Sequence, residues 1–65
     1  MKLLNVKEAA DFLNISKVTL YRMTSKKQIS HYKVGAKILF DKEKLIEWIS
    51  NLEVVPENWK QESKQ

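Results

Sequence analysis

The run NVKEAADFLNISKVTLYR, from Asn5 to Arg22, holds two helix starts with one helix stop between them. Asn5 can cap a first helix while Glu8, three residues on, reaches back to the cap, the logic of a capping box. Val6, Ala9, Ala10 and Leu13 follow at helical spacing, with Phe12 beside them. Asn14 tolerates left-handed backbone and suits a helix end. Ile15 is apolar, and Ser16 is a good N-cap for a second helix.

Only about three residues, Asn14 to Ser16, therefore separate the helices, the length of the turn in a helix-turn-helix. Winding the second helix at about 100° per residue separates two faces. Ser16, Leu20, Met23 and Thr24 gather on one side, to pack on Ala9, Ala10, Leu13 and Ile15. Lys17, Val18, Tyr21, Arg22, Ser25 and Lys26 gather on the other. A solvated face seldom needs an aromatic and a β-branched residue among its cations. A DNA-reading face does, because Lys and Arg take phosphates or guanine edges while apolar groups meet thymine methyls. The competing reading is that Tyr21 only covers an edge of the core.

Charge points the same way. Between Phe12 and Phe40 stand six basic residues and no acid: Lys17, Arg22, Lys26, Lys27, Lys33 and Lys37. All eight acids lie outside that window, so the net charge of +4 is a +6 middle with −2 flanks. A one-signed segment in a folded chain builds a positive face, whose commonest partner is a phosphate backbone. The alternative is a solvated basic surface with no dedicated partner.

Downstream, Lys26 to Ser30 are polar apart from Ile29 and read as a loop. Tyr32-Lys33-Val34 and Ile38-Leu39-Phe40 then flank Gly35-Ala36-Lys37, a hairpin signal. Two registers compete. A two-residue Gly35-Ala36 loop fits a type II′ turn, but sets Lys37 on the face of Tyr32 and Val34. A three-residue loop pairs Val34 with Ile38 and Tyr32 with Phe40, with Lys33 and Leu39 on the other face. Burying a lysine is the costlier error, so the three-residue register is expected. Asp41 caps a third helix with an apolar stripe of Leu45, Trp48, Ile49 and Leu52, and Trp48 is expected in the core. Beyond it, Pro56 disfavours helix through Val55. The tail, with Trp59, either packs back on the domain or serves a partner.

Sixty-five residues make one small domain. With no cysteine there is no disulfide or thiolate metal site. No apolar run approaches the ~20 residues of a membrane span, and the start lacks a signal-peptide core. The chain reads as soluble, cytoplasmic and nucleoid-associated. Ser16, His31 and Asp41 each have a better structural role than a catalytic triad. No metal-ligand spacing or Gly-rich phosphate loop is present, so neither an enzyme nor a cofactor is expected.

Several stretches together resemble the small excisionase-type winged helix-turn-helix family, relatives of the MerR-type DNA-binding domain. They are Val6 through Ser16, Thr19-Leu20-Tyr21-Arg22, Tyr32-Lys33-Val34-Gly35, and Leu45 through Trp48-Ile49. The resemblance covers Leu4 to Ile49. It implies a mainly α fold with a small β-hairpin, in the order α-α-β-β-α, with residues 1–52 as the DNA-binding domain and 53–65 as a C-terminal tail. In such families the second helix enters the major groove and the wing grips the backbone or adjacent minor groove. By position, Ser16, Lys17, Thr19, Tyr21 and Arg22 would meet DNA from the helix, and Lys33 and Lys37 from the wing. Val18, Ser25 and Lys26 join them through the outward face. Family members usually carry Gly near Lys27, Pro near Ser30 and an aliphatic residue at Thr24, so Thr24 is expected to loosen that corner of the core. The implied work is that of an excisionase, a recombination directionality factor that bends DNA and assists an integrase. Its implied partners are duplex DNA, an integrase met by the tail, and further copies of itself on adjacent sites. The alternatives are a small transcriptional regulator on an operator, and a protein-interaction module for an acidic partner.

Overall fold

The computed structural model describes residues 1–56. The expected reading of Trp59 as tail core or partner arm lies outside the described residues. The helices are α1 (Val6–Leu13), α2 (Lys17–Ser25) and α3 (Lys42–Ser50). The strands are β1 (Leu3–Leu4), β2 (Tyr32–Val34) and β3 (Lys37–Asp41), in an antiparallel sheet of order β1-β3-β2. This is the winged helix-turn-helix order, with a short N-terminal strand added.

Local chemistry sets the helix-turn-helix as the sequence predicts. Asn5 Oδ1 accepts from the Glu8 N–H at 2.7 Å, and the Asn5 N–H donates to Glu8 Oε1 at 2.9 Å, closing the capping box. At the other end Asn14 takes φ 61. The Asn14 and Ile15 N–H groups then donate back to Asp11 and Ala10 carbonyls, a Schellman ending that turns the chain sharply. Ser16 Oγ accepts from the Thr19 N–H at 3.1 Å and starts α2. The same ending recurs after α2. Lys27 takes φ 56, and the Lys27 and Gln28 N–H groups donate to Thr24 and Met23 carbonyls. Here a lysine holds a conformation that glycine adopts without strain.

The core joins Leu4, Val6, Ala9, Ala10, Leu20, Ile29, Phe40 and Leu45. Leu13, Ile15, Met23, Ile38 and Trp48 pack against it. The small Ala9 and Ala10 side chains let α1 meet α2 closely, and Leu20 between them is wholly buried. Thr24 is buried, and its Oγ1 donates to the Tyr21 carbonyl at 2.8 Å. Its hydroxyl is thereby satisfied inside the fold.

The hairpin corrects the expected register. Tyr32 pairs with Leu39, Lys33 with Ile38 and Val34 with Lys37, across a two-residue Gly35-Ala36 turn. Gly35 alone in that turn has positive φ (62°), the type II′ pattern whose twist matches the strands. The cost set against this register was burial of Lys37. That cost is absent, because the face of Tyr32, Val34 and Lys37 is exposed, Val34 at 58%. β3 reaches the core with its other face, through Ile38 and Phe40, and Phe40 stands opposite the buried Leu4 of β1. Lys33 therefore lies on the face of Ile38, not on that of Leu39.

The α3 stripe is covered only in part. Asp41 Oδ1 caps the helix at the Glu43 N–H, 3.0 Å, and Leu45 is buried. Trp48 is half-buried at the core margin, and its indole N–H donates to the Gln28 carbonyl at 3.1 Å. Ile49 and Leu52 are exposed, contrary to expectation. Periodicity marks which side of a helix is apolar, whereas the width of the opposing surface decides how much of it is covered. A three-stranded sheet of short strands offers little.

Candidate nucleic-acid interface

The inner side of α2 is committed to the core through Leu20 and Thr24, which fixes what its outer side presents. Val18 (67% exposed) and Tyr21 (49%) stand among exposed Lys17, Arg22, Ser25 and Lys26. Ser16 is exposed as well. Thr19 is half-buried, and its hydroxyl accepts from Ser16 Oγ at 3.0 Å, so both serve the helix start as well as the surface. Tyr21 keeps about half its surface open.

The hairpin stands beside this helix and makes two clefts with it. In the first, Lys17 and Tyr21 of α2 face Lys37 and Leu39 of β3, with Asn5 and Lys7 at the start of α1. In the second, Tyr21 and Ser25 face Lys33 across Ile38. Tyr21 thus forms a wall of both. Lys17, Tyr21, Ser25, Lys33 and Lys37 are brought together in this way. Val18, Arg22 and Lys26 line neither cleft and project from the outer helix surface. Two residues absent from the expected set, Lys27 and His31, also line the second cleft. Lys27 was visible as part of the acid-free window. His31 was read only for a structural role and not as part of the interface.

Among the described residues no carboxylate pairs with this face. Among the described residues the one ion pair is Lys7 to Asp11 at 3.3 Å, on α1. None of the six cations between Phe12 and Phe40 has a carboxylate partner among those residues. No helix among these residues is long and apolar enough to cross a membrane, and no group of His, Asp or Glu side chains is placed to hold a metal ion.

A capped helix pair, a tight turn and a hairpin beside an exposed, cationic second helix form one recurring arrangement. The sequence pattern of the helix-turn-helix domain family, small excisionase-like DNA-binding domains, matches residues 3–52. The chain belongs to this family. No curated protein and no solved structure matches it. A helix-turn-helix domain of this kind supports sequence-specific binding of duplex DNA, and the family is typically non-enzymatic. The matched span takes in β1, which the resemblance from Leu4 onward left unread, and ends with Leu52 after α3.

Proposed function

We propose that this helix-turn-helix domain is an excisionase: it binds repeated sites near the end of a mobile element, bends the DNA and assists an integrase in excision. The observation that carries the reading is the acid-free cationic face shared by α2 and the hairpin, whose cations have no carboxylate partner among the described residues. In this reading α2 lies in the major groove. Lys17, Val18, Tyr21, Arg22, Ser25 and Lys26 meet base edges and flanking phosphates, with Ser16 and Thr19 at the helix start. Lys33 and Lys37 meet the backbone from the wing. Residues 1–52 form the DNA-binding unit, and residues 53–65 form the arm that meets the integrase. Copies on adjacent sites sum their bends.

Bending is within reach energetically. A smooth bend of about 40–90° over one site costs on the order of 1–6 kcal/mol, which the wing's added phosphate contacts can offset. The test combines two measurements on a selected site: end-to-end distance by fluorescence transfer, and excision by an integrase acting on that site. Shortened DNA and faster excision support the proposal. Straight DNA with unchanged excision contradicts it and favours an operator-binding regulator. Failure to bind any duplex at low salt would favour a module for an acidic protein partner.

A further inference from the structure

His31 is held from two sides. Its Nδ1 lies 2.8 Å from the Ile29 carbonyl, an oxygen that can only accept, so the Nδ1 carries the proton and Nε2 is the ring's uncommitted nitrogen. The ring tilts against Phe40 with centroids 6.3 Å apart. So placed, His31 lines the cleft between the end of α2 and the hairpin.

Among the described residues, the charges lining this cleft all have one sign. Lys27 comes from the loop and Lys33 from β2, while Tyr21 of α2 is the other titratable group. On the α3 side the neighbouring hollow brings uncharged Trp48 beside Lys27 and His31. Among the described residues no carboxylate lines either hollow. The cleft is partly open to solvent, with a volume of about 460 Å³, room for an anion.

On the reading of α2 and the hairpin as the DNA interface, we infer that this cleft seats one backbone phosphate, held by Lys27, Lys33 and the protonated Nε2 of His31. A neutral imidazole offers a lone pair at Nε2, which a phosphate oxygen cannot use; a protonated one donates a charge-assisted hydrogen bond. The phosphate therefore favours the protonated ring, and binding takes up a proton at this site. Acid favours the protonated ring, so affinity for duplex rises as pH falls.

The test measures affinity of the full chain for a mixed-sequence duplex at about pH 5.5 and 8, at constant salt. The proteins are the wild type, His31→Asn and His31→Lys, with melting curves for each. Asparagine keeps an N–H donor for the Ile29 carbonyl but has no Nε2, and lysine carries a charge at both pH values. The wild type should bind roughly tenfold tighter at the lower pH, the size of one unit of proton coupling. His31→Asn should lose most of that response, and His31→Lys should bind tightly at both values. An equal pH response in all three assigns the proton to another group, such as the Met1 amine, and overturns the seat. So does a wild type without pH response. If the asparagine variant does not fold, retention of the full response by His31→Lys overturns it. Absence of duplex binding at both pH values is a different result, and overturns the DNA-interface reading itself.

Discussion

Helix α2 and the β2–β3 hairpin both carry cations, but on frames of unequal stiffness. α2 is capped by Ser16, pinned through fully buried Leu20 and closed by a Schellman ending at Lys27. β2 is an edge strand with all three residues exposed, attached to the molecule through β3. A bidentate contact from a guanidinium to a base edge needs a backbone that holds its direction. A phosphate contact asks only for charge within reach, which a long lysine on a compliant hairpin supplies. The two regions share a sign of charge and differ in what that charge can recognise.

The largest effects come from removing the stiff frame itself. Leu20→Ala should cost about 2–5 kcal/mol and Phe40→Ala about 3–5, out of a total stability on the order of 5–15 kcal/mol. Denaturant titration should show much of either population unfolded under mild conditions. Trp48→Ala should cost less than both, because Trp48 sits half-buried at the margin of the core. An equal loss for Trp48→Ala would mean that its bond to the loop at Gln28, not burial, sets the frame.

Next comes the compliant region. Wild-type protein that places about five cations on phosphates should lose log affinity with log salt at a slope near −4 to −5. Lys33→Ala combined with Lys37→Ala should flatten that slope by up to about two units. A slope near zero for the wild type would reduce the basic face to a solvated surface.

The smallest effect separates frame from charge at one residue. Lys27→Gly relieves a left-handed lysine and should stabilise the fold by roughly 0.5–1 kcal/mol in thermal or chemical melts. It should at the same time weaken DNA binding, since a cation leaves the α2–hairpin cleft. A variant that is both less stable and weaker in binding would mean that the lysine side chain supports the turn.

Much of this was legible from residue types acting over short distances. Asn5, Glu8, Asn14, Ser16 and Asp41 fixed the helix ends because caps are local hydrogen-bond problems with few solutions. The α2 face was legible because 3.6-residue periodicity and the lack of acids act over the same nine residues. The hairpin register was not, since it turned on whether the Tyr32–Val34 face is covered, which no local rule states. β1 escaped notice because two residues carry no period, and its strand exists only through pairing with Phe40 and Asp41. Ile49 and Leu52 read as core for the same reason in reverse: their period is right, but nothing among the described residues covers them.

The central claim is that α2 reads bases and the hairpin grips phosphate. It is tested most directly by the ratio of affinities for a selected site and a scrambled duplex, across several salt concentrations, in Arg22→Ala and in the Lys33→Ala, Lys37→Ala double variant. Arg22 projects from the outer surface of α2 without an ion-pair partner among the described residues. A bidentate pair with guanine discriminates bases by about 1–3 kcal/mol. Arg22→Ala should therefore shrink the ratio by roughly five- to over a hundredfold, while the double variant weakens both affinities alike and leaves the ratio in place. If the hairpin variant loses the ratio and Arg22→Ala keeps it, the reading element is the hairpin and the account is contradicted.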